Sequence, residues 1–155
     1  MSEWDALHEQ LKGTLQKEVN IMRELLANLH QEELSRVFRD EGSLNQVLQQ
    51  RSQIVDRLSS LRISRIKTTE MIEQIVATKE EHPSVDQILP PQEEMSTEIL
   101  SLRDQLMALT EQLNRQQSYN QYIIEHPEQL RSHQQQLEAA RPKKKAIVAT
   151  YQIKR

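Results

Sequence analysis

Leu7, Leu11, Leu15, Val19, Met22, Leu26 and Leu29 recur at steps of three and four residues, the spacing that lines up side chains on one face of an α-helix. Trp4 falls on the same side, and Ser2 or Asp5 offers a capping oxygen at the start. The pattern runs on loosely through Leu34, Val37 and Phe38 and predicts a helix over about residues 3–39. Gly13 interrupts it at about 1 kcal/mol relative to alanine, which a helix of this length absorbs. After Gly42 the pattern restarts in a new phase. Leu44, Val47, Arg51, Ile54, Leu58, Leu61, Arg65, Thr68, Ile72 and Ile75 alternate by three and four without a slip. That is a heptad seam with three polar members, and it predicts a second helix over about 44–80.

Between the two runs stands DEGS. Gly42 suits the left-handed position that ends a helix, and Ser43 suits the N-cap of the next. The stretch is read as a helix–helix turn, with a kink in one continuous helix as the rival. It does not fit a calcium loop, which needs alternating oxygen ligands and a terminal glutamate. Arg51 and Arg65 lie fourteen residues apart in the seam. Pairing inside the bundle, with Glu32 or Glu18, is favoured over reception of a partner's acidic groups, since a charged seam residue fixes register.

Residues 79–93, KEEHPSVDQILPPQE, break the pattern, because Pro83, Pro90 and Pro91 each disfavour helix at the residue before them. Val85, Ile88 and Leu89 would tuck this connector against the bundle, and Pro91 opens a third helix over about 92–125. Its seam is Met95, Ile99, Leu102, Leu106, Leu109 and Leu113, which fails at Gln116 and Asn120 before Ile123 restores it. Pro127 then precedes a weaker helix over about 128–140, where Leu130 and Leu137 continue the seven-residue spacing from Ile123, with His126 and His133 between. Residues 142–155 read as a basic, flexible tail: positions 141–155 hold six basic and no acidic side chains, and AIVATYQI alone is strand-like. The fold expected is all-α: an antiparallel bundle of three long helices over residues 1–141, with a weaker C-terminal helix and that tail.

Composition sharpens this picture. With 3% aromatic residues and two glycines in 155 residues, the chain has material for a thin leucine-seamed core and little for a deep ligand pocket. The net charge of −3 sets up no field toward nucleic acid or an anionic membrane, and Lys143–Lys145 without interleaved aromatics does not change that. No cysteine is present, which removes disulfides, thiolate metal sites and cysteine nucleophiles and fits a reducing compartment. MSEWDALHEQ has none of the marks of a secretion signal, and no run approaches the roughly 18 apolar residues of a membrane span. A cytoplasmic protein without membrane insertion is expected. His8, His30, His82, His126 and His133 are dispersed, so no metal site is expected, and no cofactor. Nor is an enzyme: there is no phosphate-binding glycine loop and no nucleophile elbow. Helical phosphatases that hold water with an Asp and a Gln four residues apart find no such pair here.

Tyr119, Tyr122, Ile123 and Ile124 stand where the third seam weakens, and tyrosine favours interfaces. With Leu130 and Leu137 they suggest a helix left under-buried and completed by a partner. LQKEVNIMRELLANLHQEELSRVFRDEGSLNQVLQQRSQIVDRLSSLRISR, followed after a linker by LSLRDQLMALTEQLNRQQSYNQYIIE, resembles the FlgN-type flagellar export chaperones. The likeness covers about Leu11–Ile75 and Ile99–Glu125. DEGS stands at the family's break between its first two helices, and Asn114 or Asn120 with Ile123 and Ile124 at its third-helix end. The resemblance implies a cytoplasmic helical bundle that holds exported hook–filament junction-type proteins through its C-terminal helices and delivers them to secretion gate components. The alternative is a structural coiled-coil stalk or scaffold of a secretion apparatus, which the same heptads would also build.

Overall fold

Each apolar run of the sequence forms a long helix. The computed structural model describes residues 2–77 and 93–154, so the proline-rich connector, with Val85, Ile88, Leu89 and Pro91, lies outside the described residues. The described residues form α1 (Glu3–Val37), α2 (Glu41–Ala77), α3 (Glu93–Glu125) and α4 (Pro127–Lys154). The last takes in the basic tail and its AIVATYQI stretch, which is helical here and not a strand. Ser2 caps α1: its Oγ accepts the Asp5 amide at 3.1 Å, while the Asp5 carboxylate reaches back to the Ser2 amide at 3.4 Å. Both would-be capping residues thus act in one reciprocal box, satisfying two amides that have no partner inside the helix.

Ion pairs give the helix directions. Glu18 meets Arg65 at 2.8 Å and Glu32 meets Arg51 at 2.6 Å, so numbers fall along α2 as they rise along α1, and the two are antiparallel. Lys12 meets Glu98 at 2.7 Å, Arg23 meets Gln105 at 3.2 Å, and Asn120 reaches the Leu29 carbonyl at 2.9 Å. Here the numbers rise together, so α3 runs parallel to α1. The bundle is up–down–up, with α1 as the central helix on which both α2 and α3 pack. Leu7, Leu11, Leu15, Val19, Met22 and Leu29 from α1, Leu58 and Ile72 from α2, and Ile99, Leu102, Leu109 and Leu113 from α3 form one buried cluster. Trp4, Leu26, Met95 and Leu106 pack against it partly buried.

The α1–α2 break is a full turn, as the sequence suggests, but its parts stand three residues earlier. Arg39, not Gly42, takes the left-handed conformation (φ 53°), and neither glycine has positive φ. The Arg39 amide donates to the Arg36 carbonyl at 3.2 Å and the Asp40 amide to the Ser35 carbonyl at 2.9 Å, closing the end of α1. Asp40, not Ser43, caps α2, its Oδ1 accepting the Ser43 amide at 3.0 Å. The reason lies in the register. Ser43 is already in the first turn of α2, where its Oγ lies 3.0 Å from that of Ser35. The first turn carries no seam residue before Leu44, so the apolar pattern starts later than the helix.

Candidate functional site

The polar seam positions are joined, and they set where the end of α3 sits. Asn28 of α1 donates to the Val47 carbonyl of α2 at 2.9 Å and accepts from Arg51 Nε at 2.8 Å. Glu32 accepts from Arg51 at 2.6 Å, from Arg36 at 2.7 Å and from Asn120 of α3 at 3.2 Å. Asn120 accepts in turn from Gln116 at 2.9 Å. One layer of side chains thus ties three helices together, and its two amides bond main-chain carbonyls of their neighbours. A one-residue slip of α2 or α3 would unmake these bonds, which is how buried polar groups specify register. The third seam therefore does not fail at Gln116 and Asn120: Asn120 is 3% exposed and Ile123 2%. Burial alone would raise the Glu32 carboxyl, but hydrogen bonds from Arg36 and Arg51, with their charges, hold it below the usual value. At Glu18, burial wins over the nearby Arg65 and Arg62 charges and pushes the carboxyl up.

With Asn120 and Ile123 turned inward, helical geometry sends their neighbours outward. Tyr119 is 36%, Tyr122 43% and Ile124 44% exposed. Of the six candidate partner-binding residues, Ile123 belongs to the core in this chain. Its place in the seam, three residues past Asn120, turns it inward. Leu130 and Leu137 are half-buried. The structure thus brings Tyr119, Tyr122 and Ile124 to the surface at one end of α3, and sets Leu130 and Leu137 on the helix that follows.

How α4 reaches this end is the feature that periodicity does not show. An unbroken helix would separate residues 119 and 133 by about 21 Å, yet the rings of Tyr119 and His133 meet edge-on with centroids 5.9 Å apart. The chain reverses at His126. There the His126 amide donates to the Tyr122 carbonyl at 2.9 Å, the Gln129 amide donates to the His126 carbonyl at 3.0 Å, and the His126 ring stacks on Tyr122 with centroids 4.1 Å apart. Leu130, His133 and Leu137 recur at three and four residues and form the inward face of α4. No residue between Pro127 and Ala140 is fully buried, and α4 packs only sparsely on α1 and α3. Burial, then the charge of Glu33, then Tyr122 hold the Tyr119 phenol above its usual value, so it serves here as a neutral aromatic.

Glu33, His126 and His133 are members of this site that the sequence reading did not select. The four-residue step from Tyr122 to His126 was the available signal. A second apolar surface also escaped it: Leu48, Val55, Ile63 and Ile66 of α2 are 40–55% exposed, outside the seam. Beside Tyr122, a cleft of about 610 Å³ is lined by Asn114, Gln117, Ser118, Gln121 and Glu125, three amides, a hydroxyl and a single carboxylate. No group of three metal-ligating side chains converges among the described residues. No described helix is long and apolar enough to cross a membrane.

No curated protein and no solved structure matches the chain. A family model does, described as the FlgN protein, and it matches residues 1–154, from the cap of α1 to the last residue of α4. A match over that length takes in the register layer and the exposed end of α3 together, and on it the chain belongs to the FlgN family of flagellar export chaperones.

Proposed function

We propose that this chain is a non-enzymatic cytoplasmic chaperone that holds the terminal helices of exported hook–filament junction-type proteins and hands them to secretion gate components. One observation carries the reading. Tyr119, Tyr122 and Ile124 are exposed beside α4, a helix whose inward face is only half-buried. An amphipathic client helix laid along this end would cover the tyrosines and Ile124 and complete the burial of Leu130 and Leu137. Binding acts by mass action: the bound client terminus is withdrawn from aggregation and stays unfolded enough for export. The stalk alternative is less well served. Helix α1, with 35 residues, is roughly 50 Å long, and α2 and α3 lie alongside it rather than extending it.

Affinity of the purified full chain for a purified hook–filament junction protein tests the proposal. A Tyr122→Ala/Ile124→Glu variant gives up the Tyr122 stack on His126 at about 1 kcal/mol and is otherwise expected to fold normally, while losing tenfold or more in affinity. Ile66→Glu, on the exposed face of α2, is expected to bind as wild type. Full binding by the α3 variant, or loss confined to Ile66→Glu, would move the site off the end of α3.

A further inference from the structure

Among the side chains that α4 turns inward, His133 is the one imidazole, the side-chain type suited to switching charge near neutral pH. It meets two helices at once. Its Nε2 lies 3.8 Å from Glu33 Oε1 of α1, and its ring meets Tyr119 of α3 edge-on. At 3.8 Å a neutral imidazole makes no hydrogen bond, whereas an imidazolium attracts the carboxylate. The two side chains are 26% and 19% exposed, so solvent screens that attraction only in part. Among the described side chains of α4 the other half-buried ones are Leu130, Gln134 and Leu137, so a modest charge term is a sizeable share of what docks residues 127–140.

From this geometry we infer that α4 is a proton-set strap: charging His133 draws the helix onto Glu33 and over Tyr119, and neutral His133 lets it lift. Of the groups around His133, Glu33 is the nearest charge and favours the imidazolium, while the cations stand farther off or are engaged elsewhere. Glu33 is the carboxylate from α1, and a glutamate is ordinarily ionised throughout the histidine range. Tyr119, from α3, stays neutral. On α1, His30 and Arg36 flank Glu33 at three residues either side, and Arg36 is tied to Glu32 at 2.7 Å. Arg115 stands one turn before Tyr119 on α3. On α4 the neighbours one turn away, Gln129, Leu130, Gln136 and Leu137, carry no charge. Docking therefore takes up a proton, and the docked fraction rises as pH falls. That the strap governs access to a client rests on the function proposed above; the strap itself does not.

Hydrogen exchange over residues 127–140, measured on the full chain alone and corrected for intrinsic rates, tests it. Docking adds protection to whatever helicity the undocked segment keeps, so the change in protection with pH, and not its level, is the readout. Wild type should gain about two- to fivefold in protection from pH 7.5 to 5.5, the range that a partly exposed ion pair allows. His133→Gln and Glu33→Gln should each flatten that response, while His126→Gln, which changes the other histidine of this region, should keep it. A flat wild-type profile, or an undiminished response in His133→Gln or Glu33→Gln, overturns the strap. No client enters this measurement, so its failure would leave the binding proposal standing, and a failed binding assay would leave the strap standing.

Discussion

Glu32→Ala is the substitution that most directly probes what holds the three helices in register. It removes the one acceptor shared by Arg36, Arg51 and Asn120, which approach at 2.7, 2.6 and 3.2 Å. Breaking a fully buried pair costs about 3–5 kcal/mol, because the abandoned charge stays in a poor environment. Here both guanidiniums are 24% exposed and water can take over part of their solvation, while Asn120 keeps its bond to the Leu29 carbonyl. The expected loss is therefore about 2–3 kcal/mol, or a fall in Tm of about 4–12 °C for a chain of this size. Urea unfolding followed by circular dichroism measures it, and a double-mutant cycle with Arg51→Ala isolates the coupling, expected at about 1–2 kcal/mol. The pH dependence supplies a sign. Because Glu32 is held below its usual value in the fold, its contribution is present above the unfolded glutamate value of about 4.3 and is lost as pH falls through the folded one. The gap between wild type and Glu32→Ala should therefore close as the pH is lowered below about 4. A loss under 0.5 kcal/mol at neutral pH, or a gap that does not change with acid, would refute the network as the source of register.

Glu18 should behave in the opposite sense. Burial raises its carboxyl in the fold, so stability present below the unfolded value is lost as pH rises through the folded one, and Glu18→Gln should gain on wild type in urea melts between pH 4 and 7. Gly13→Ala should stabilise by about 1 kcal/mol, since an added methyl would meet nothing within 4 Å; an unchanged unfolding midpoint would count against it. At the turn, Arg39→Val should cost about 1–2 kcal/mol, because its φ of 53° crowds a branched side chain. Asp40→Ala should cost about 1 kcal/mol through loss of the cap on the Ser43 amide. Both are read from the same chemical melts.

The order of the helices and the residues facing the core follow from the chain itself, because apolar side chains at three- and four-residue steps have a single way to be buried together. That Arg51 and Arg65 pair inside the bundle with Glu18 or Glu32 was legible, since an arginine inside a seam needs an acid on the facing helix, but which takes which is set by the antiparallel packing. Register and exposure were not. Whether Asn120 interrupts a seam or belongs to it depends on the Leu29 carbonyl of another helix, and periodicity within α3 carries no information about that group. Ile123, which the periodicity already returns to the seam, is core, and Ile124 beside it is surface. The reversal at His126 and the meeting of Tyr119, His133 and Glu33 likewise arise from two helices brought side by side, so only the tertiary structure decided them. A local pattern tells a helix which face to hide; what covers that face, and how completely, is set by residues distant in the chain.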